Sequence, residues 1–280
     1  MASPYGPPPG PIVRAGGADS IRRMSTDPLP QLVHARADGV ATVVIAHAAK
    51  RNAMTNSMWR ALPPLLDELA ADPEVRVLVL TGEGATFCAG ADISGLVESA
   101  DEARELAVRA EEALAAFPKP TLAAVRGHCV GGGCQLAVAC DLRFVTEGAL
   151  FGITPAKLGI VYAASSTRRL VDLVGPATAK YLLFSGELID SARALRTGLV
   201  DEVHAEDELD KRVAEFARVL ASRSLLTQVA AKEFAAGRTG REEYFGAQMR
   251  EGGDTAEGVA AFLERRAPRF SWMPGSSSSA

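Results

Sequence analysis

The 280-residue chain carries a formal net charge of −4, and 48% of its residues are hydrophobic. This length and composition allow a large buried core, and the absence of a basic stripe argues against nucleic acid as a partner. No apolar run reaches the roughly 18 residues of a membrane helix and no secretory signal is evident, so the sequence predicts a cytoplasmic protein without a membrane partner.

The N-terminal part predicts a disordered arm followed by a β-hairpin. Residues 1–28 are rich in proline and glycine, a composition that buries little and fixes little structure. Two apolar runs, Leu32–Arg36 and Val40–Ala46, then flank the dipeptide Asp38-Gly39, which favours a tight turn. We therefore expect the fold to begin near residue 29 with a hairpin.

Strands and helices alternate over the next hundred residues. A helical pattern ends near Asp72-Pro73, and Pro63-Pro64 predicts either a kink in that helix or a start at the prolines. Asp101–Phe117 has helical spacing and a proline just beyond its end. Short apolar runs typical of buried strands occupy Val75–Leu80, Thr121–Val125 and Leu142–Thr146.

From Ser166 onward the pattern is helical, punctuated by glycines. The sequence thus predicts an α/β core over residues 29–204, a C-terminal helical lobe over 205–270 that serves oligomerisation, and a disordered tail over 271–280. The apolar stripes of the lobe are interpreted as packing surfaces, within the chain or between subunits.

Two short segments are the most informative part of the chain. Phe87–Ile93 (FCAGADI) and Gly127–Asp141 (GHCVGGGCQLAVACD) each follow a predicted strand and offer small residues with accessible backbone amides. In order and spacing they resemble the paired oxyanion-hole segments of the crotonase family. The resemblance runs from about Gln31 to about Pro268.

Membership of that family would imply a spiral of ββα turns with a C-terminal helical lobe, assembled as a homotrimer or a dimer of trimers. It implies an acyl-CoA thioester as substrate and no other cofactor, since coenzyme A is part of the substrate. By motif position, the amides of Ala91 and Gly132 would bind the thioester oxygen. These donors stabilise the enolate-like species through which the family's reactions pass.

The resemblance also indicates where coenzyme A binds. Family members place the segments matching Lys50–Met54 and Ala89–Ile93 around the adenine and phosphates. Candidate contacts are therefore Lys50, Arg51, Ala53, Ala89, Asp92 and Ile93. Lys50 and Arg51 are phosphate candidates, with a solvated turn as the alternative. Lys232 is a further phosphate candidate on a C-terminal helix.

The sequence departs from the family's hydratases at two positions. Where hydratases carry the two glutamates that activate water, this chain has Gln135 and Pro155, neither of which can accept a proton at neutral pH. The stretch TPAKLGIVY instead resembles the T-P-x-x-L-G-V-P-Y of methylmalonyl-CoA decarboxylases, with Tyr162 at the tyrosine position. The preferred reaction is thus decarboxylation of a malonyl-type thioester, and a core tyrosine without a chemical role is the alternative.

Two other functions remain open. A hydratase or isomerase would need a displaced carboxylate, for which Glu98 and Glu187 are candidates, and a non-catalytic acyl-CoA-binding subunit would need none. Asp92 and Asp141 are interpreted as structural, and His128 as packed. The four cysteines, Cys88, Cys129, Cys134 and Cys140, lack the spacing of a zinc site, and we expect reduced, packed thiols and no metal.

Overall fold

The computed structural model describes residues 13–14, 29–94 and 99–275. The strands are β1 (Val13–Arg14), β2 (Gln31–Ala37), β3 (Val40–Ala46), β4 (Val77–Gly82), β5 (Thr121–Val125), β6 (His128–Val130), β7 (Leu142–Thr146), β8 (Leu150–Gly152), β9 (Ile189–Asp190) and β10 (Glu202–His204). The α-helices are α1 (Asn56–Ala71), α2 (Ala100–Ala115), α3 (Gly132–Ala139), α4 (Ala164–Ser185), α5 (Ser191–Arg196), α6 (Leu209–Ala221), α7 (Leu225–Ala235), α8 (Glu242–Glu251) and α9 (Asp254–Glu264).

A seven-stranded sheet forms the centre, in the order β1-β2-β3-β4-β5-β7-β10. Its neighbours pair in parallel except β2 and β3, which form the predicted hairpin with Val33 opposite Val44. The turn residues Asp38 and Gly39 have φ of 52° and 78°, the left-handed conformations that this short connection requires. The hairpin prediction is therefore confirmed.

The chain repeats a strand–strand–helix unit that contributes to two sheets. β5 lies in the large sheet, β6 in a second sheet of order β6-β8-β9, and α3 follows; β7, β8 and α4 repeat the arrangement. The mixed α/β architecture with a helical C-terminal region is confirmed.

Helix α1 differs from its prediction. It begins well before the prolines, with the Thr55 hydroxyl accepting from the Met58 amide at 3.4 Å, and it includes both Pro63 and Pro64. An apolar face holds it in place, made by the buried residues Met58, Trp59, Leu62, Leu65, Leu66 and Leu69. Packing of this face outweighs the two missing N–H donors, so the expectation of a helix start at the prolines is wrong.

The large sheet is covered on both faces, as parallel sheets require. On one face, α1, α2 and α3 pack with the strands into the main core. On the other, Leu209, Val213 and Ala217 of α6 pack against strand residues that include Val79 and Phe144. The two motif segments leave the large sheet on the α1–α3 side.

The last helices form a smaller cluster around Leu225, Phe245 and Trp272. Trp272 lies in the region for which the sequence predicts a disordered tail, whereas its indole Nε1 donates to Gln248 at 2.8 Å and only 8% of its surface is exposed. Residues 276–280 of that tail lie outside the described residues. Arg76, which precedes β4, donates to the carbonyls of Ala221 and Arg223 at 2.7 and 3.0 Å and so joins the sheet to this region.

At the other end, Val13 and Arg14 of the predicted arm pair in parallel with β2, and the rest of residues 1–28 lies outside the described part of the chain. None of the helices in the described residues combines the length and apolar composition that a membrane span requires.

Candidate active site

The two motif segments lie side by side. The amide of Cys88 donates to the His128 carbonyl at 2.9 Å, and the amide of Val130 donates to the Cys88 carbonyl at 3.0 Å. This pairing brings Ala91 next to Gly132: a Cβ atom built on Gly132 would stand 3.4 Å from the Ala91 nitrogen. Two amides that are 41 positions apart in the chain therefore lie next to each other.

A third segment, residues 50–54, holds the first one from its other side. The amides of Ala89 and Asp92 donate to the carbonyls of Arg51 and Met54 at 3.0 and 2.8 Å. The Ala91 amide between them donates to no described residue. The backbone pairing that fixes this segment thus leaves one N–H available.

Gly132 supplies a second available amide. It is the first residue of α3, where the N–H groups of a helix lack intrahelical acceptors, and its amide donates to no residue in the described ranges. The preceding Gly131 has φ of 54° and ψ of −118°, a conformation that favours glycine, and its amide donates to the Gly152 carbonyl at 2.8 Å. The glycine cluster therefore turns the chain sharply from β6 into α3.

Both amides belong to residues that line one cleft, with a cavity volume of about 200 Å³. The cleft brings together Ala91, Gly132, Gln135 and Tyr162, the four residues predicted to carry the chemistry, with Ala89 and Ile93 of the predicted coenzyme A contacts. Its other described lining residues are Trp59, Gly90, Ala103, Arg104, Ala107, Val108, Gly131, Thr154, Pro155, Leu158, Ile160, Val161 and Ala163.

Behind Gln135 lies a carboxylate that the sequence analysis missed. Glu111 of α2 is fully buried, and it accepts hydrogen bonds from Gln135 Nε2, from the Ser166 hydroxyl and from the Arg169 guanidinium. Burial raises the pKa of Glu111, while these hydrogen bonds oppose the increase. The only signal in the sequence is a glutamate beside Ala110 on the apolar face of an amphipathic helix.

This network fixes the Gln135 side chain. The side-chain nitrogen faces Glu111, to which Nε2 donates, and Nε2 also lies 3.1 Å from the Ser166 hydroxyl oxygen. Oε1 of Gln135 accepts from no residue in the described part of the chain, and Gln135 lines the cleft. The amide therefore offers the cleft an acceptor and no base.

Tyr162 and Pro155 also line the cleft. Pro155 begins a 3-10 turn, Pro155–Leu158, and brings no polar side-chain atom to the cleft. Burial raises the pKa of Tyr162 well above its ordinary value, and the proximity of Cys134 and Glu111 acts in the same direction. Tyr162 is therefore a neutral phenol at neutral pH, and its hydroxyl can donate a hydrogen bond to an anion.

Arg104 is a second cleft residue that the sequence analysis missed. It lies on α2, is exposed, and its Nε donates to the Val161 carbonyl at 3.2 Å. It is the one charged side chain among the described lining residues. A single arginine on an amphipathic helix carries no signal of this position, because periodicity does not tell which loop the helix faces.

The predicted phosphate contacts flank the cleft but do not line it. Lys50 pairs with Asp92 at 2.7 Å, and both side chains are nearly buried. Burial acts to raise the pKa of Asp92, but hydrogen bonds from Lys50 and Ser94 outweigh it and lower the pKa. Arg51 is exposed, and Ala53 is buried with its carbonyl 2.7 Å from His47 Nδ1.

The remaining candidates lie elsewhere. Glu98 lies outside the described residues, and Glu187 is exposed, accepts from the Tyr181 hydroxyl and is not among the described residues that line the cleft. Lys232 pairs with Asp141 at 2.9 Å, and Asp141 also accepts from the Thr121 amide at 2.8 Å. His128 lies in β6 and is not among the described residues that line the cleft.

All four cysteines are buried and none forms a disulfide. Burial raises the pKa of Cys88 and Cys140 to about 12 and that of Cys129 well above its ordinary value. These three thiols are therefore protonated at neutral pH, as expected of packing residues.

Comparison with known proteins agrees with this geometry. Residues 35–272 match the family model described as enoyl-CoA hydratase/isomerase. The 2,3-dehydroadipyl-CoA hydratase of Escherichia coli is 32% identical over 258 residues, which are 86% of this chain and 99% of that protein. The mitochondrial enoyl-CoA hydratase domain-containing protein 2 of Bos taurus is 35% identical over 250 residues, 83% of this chain and 84% of that protein.

The fold has solved counterparts as well. A crystal structure of an enoyl-CoA hydratase/isomerase family member superimposes with a TM-score of 0.81 at 40% identity, covering 88% of this chain and all of that one. The architecture is the crotonase fold, as the sequence predicts. Because a family model spans most of its length and relatives above 30% identity align along most of theirs, the chain belongs to the enoyl-CoA hydratase/isomerase family.

Proposed function

We propose that this protein is an acyl-CoA enzyme that stabilises an enolate with the amides of Ala91 and Gly132. The observation that carries the proposal is that these two N–H groups, which donate to no described residue, belong to adjacent residues that line one cleft. Reactions next to a thioester gather negative charge on its carbonyl oxygen, and donors fixed beforehand stabilise that charge. Loss of one such donor costs about 3 kcal/mol in transition-state stabilisation.

The reaction we propose is decarboxylation of a malonyl-type thioester. By the family resemblance, Gln135 and Pro155 occupy the positions of the two hydratase glutamates, and the Gln135 amide cannot take a proton. Loss of carbon dioxide needs no base to begin, because the C–C bond that breaks leaves its electron pair on the α-carbon as the enolate. Tyr162 lines the same cleft, and its hydroxyl is the group we propose to orient the departing carboxylate.

Carbon dioxide release from methylmalonyl-CoA and ethylmalonyl-CoA tests this reaction. Tyr162→Phe keeps the ring and removes the hydroxyl, so decarboxylation should slow by roughly 10- to 150-fold, the equivalent of a hydrogen bond to a charged group of about 1.5–3 kcal/mol. Tyr181→Phe is the matched control, because the Tyr181 hydroxyl bonds Glu187 outside the cleft. A wild-type protein that releases no carbon dioxide, or a Tyr162→Phe variant at the wild-type rate, would contradict the proposal.

A hydratase or isomerase is the second candidate, since the named relatives carry hydratase names. Among the described residues, Glu111 is the carboxylate next to the Gln135 side chain, but Gln135, Ser166 and Arg169 occupy its oxygens. We therefore expect hydration of crotonyl-CoA far below the usual kcat range of roughly 1–10³ s⁻¹. Loss of the absorbance of the conjugated thioester measures it, and turnover within that range would favour the hydratase.

Thioester binding without either reaction would leave the non-catalytic acyl-CoA-binding subunit as the remaining function.

We also propose the homotrimer or dimer of trimers that the family resemblance implies. Exposed apolar side chains on α9 support an intersubunit contact: Phe262 and Leu263 expose 82% and 75% of their surface. Sedimentation equilibrium measures the mass, and a monomer at micromolar concentration would exclude this assembly.

A further inference from the structure

The cleft contains a cation that the proposed chemistry does not use. The thioester oxygen is assigned to the Ala91 and Gly132 amides, whereas Arg104 lies on α2 and reaches the wall that carries Val161 and Tyr162. No carboxylate of the described residues pairs with it; Glu111 on the same helix is sealed behind Gln135, Ser166 and Arg169. A guanidinium beside an uncharged lining attracts an anion from solution.

The contact of Arg104 with Val161 uses Nε and leaves the two terminal Nη groups of the guanidinium available. Nε donates to the Val161 carbonyl at 3.2 Å, which anchors the guanidinium plane, and the two terminal Nη groups donate to no described residue. Those two groups form the edge that binds a carboxylate through two parallel hydrogen bonds. Arg104 lines the cleft, so a carboxylate bound there could pair with these two groups while Nε keeps its contact with Val161.

The surroundings of Arg104 suit an anion carried on an alkyl chain. Leu158, Ile160 and Val161 line the same wall, and Leu158 and Val161 expose 57% and 77% of their surface. Methylene groups that pack against these side chains remove apolar area from water, at roughly 0.8 kcal/mol for each buried CH₂ group. An apolar stem with an anionic end matches this combination, whereas a free inorganic anion would leave the apolar wall uncovered.

We propose that Arg104 binds the free carboxylate at the end of an acyl chain, so that the enzyme prefers CoA thioesters of dicarboxylic acids over neutral acyl-CoAs of the same length. The inference rests on the part of the proposed function that places a CoA thioester in this cleft. It does not depend on which reaction follows. Arg104 is in this view a specificity-determining residue.

Binding of unreactive thioesters tests the assignment without any turnover. Glutaryl-CoA and adipoyl-CoA are compared with pentanoyl-CoA and hexanoyl-CoA by titration calorimetry; none of the four carries a carboxylate on the α-carbon, so none can be decarboxylated through the enolate. Wild-type protein should bind the dicarboxylic member of at least one pair about 5–20-fold more tightly, a range that allows for screening of an exposed charge.

Arg104→Gln should abolish that preference and leave the affinities for hexanoyl-CoA and free CoA unchanged. Arg109→Gln is the matched control: Arg109 is an exposed arginine on the same helix and is not among the described lining residues, so its loss changes the net charge equally. The control should keep the full preference. Raising the ionic strength should reduce the preference of the wild type.

Three outcomes overturn the inference, and they differ from one another. Equal weakening of CoA, hexanoyl-CoA and adipoyl-CoA in Arg104→Gln would assign the guanidinium to a phosphate of coenzyme A. A wild-type protein that binds neutral thioesters without preferring the dicarboxylic ones would refute the carboxylate subsite alone. Folded protein that binds no thioester at all would refute the proposed function, and the subsite with it.

Discussion

Gly132→Ala affects both the packing of residue 132 against Trp59 and its position as a proposed oxyanion donor beside Ala91. The added methyl group would stand 2.9 Å from Trp59 Cζ2 and 3.4 Å from the Ala91 nitrogen. The first contact is an overlap within the core, which typically costs about 1–3 kcal/mol of stability. The second crowds the space between the two amides, where the thioester oxygen must lie within about 2.7–3.1 Å of both donors.

We therefore expect losses in two measurements. Chemical denaturation should show a free energy of unfolding lowered by about 1–3 kcal/mol. Turnover of whichever thioester reacts should fall by roughly 10²–10³, the effect of losing one such donor. Difference infrared spectroscopy of a thioester with a ¹³C-labelled carbonyl gives a readout independent of the reaction, because bound donors lower the carbonyl stretching frequency and the variant should lower it less.

A second substitution distinguishes crowding of the amides from crowding of the core. Trp59→Phe removes the benzo ring that holds Cζ2, so the double variant Gly132→Ala/Trp59→Phe should be more stable than the sum of the single effects predicts. Its turnover should stay low, since the methyl group still stands between the amides. Recovery of turnover together with stability, or a Gly132→Ala variant with wild-type turnover and carbonyl frequency, would refute the assignment of the donors.

Two further predictions concern buried charges. Glu111→Gln should lower the free energy of unfolding by about 3–5 kcal/mol, because it leaves the Arg169 charge without its buried partner. The control Glu112→Gln removes a half-exposed contact of the same arginine and should lower it by at most about 1 kcal/mol. Equal losses of the two variants in chemical denaturation would contradict the network. Burial lowers the pKa of Lys119 from 10.5 to about 8. Between pH 8 and pH 10.5 the unfolded chain therefore binds more protons than the folded one, so the free energy of unfolding of the wild type relative to Lys119→Met should rise with pH. A free-energy difference between the two proteins that does not change over this pH range would refute the shift.

Local patterns in the sequence predict the elements that depend on local causes. The Asp38-Gly39 turn, the strand Leu142–Thr146 and the glycine cluster Gly131–Gly133 are determined by residues within a few positions of one another. Local patterns do not predict the features that depend on packing between distant elements. Pro63 and Pro64 are accommodated in α1 only because its apolar face packs into the core, and no local rule indicates this.

The candidate site shows the same division. Ala91, Gly132, Gln135 and Tyr162 are identified from motif positions, and the structure brings all four to one cleft. Glu111 and Arg104 lie on a helix whose periodicity predicts a buried face but not the partners of that face. Their contacts with Gln135 and Val161 depend on how α2 packs against α3 and against the loop before α4, which sequence spacing does not contain.

The pairing of three backbone segments around Ala91 makes the proposed donors independent of the side chains that surround them. The two proposed donors are main-chain groups, fixed by hydrogen bonds between carbonyls and amides of residues 51–54, 88–92 and 128–130. Substitution of the side chains at positions 104, 135, 155 or 162 leaves those hydrogen bonds in place. The fold can therefore exchange one reaction or one acyl group for another while the enolate-stabilising part persists, so new activities can arise by few mutations at these four lining positions.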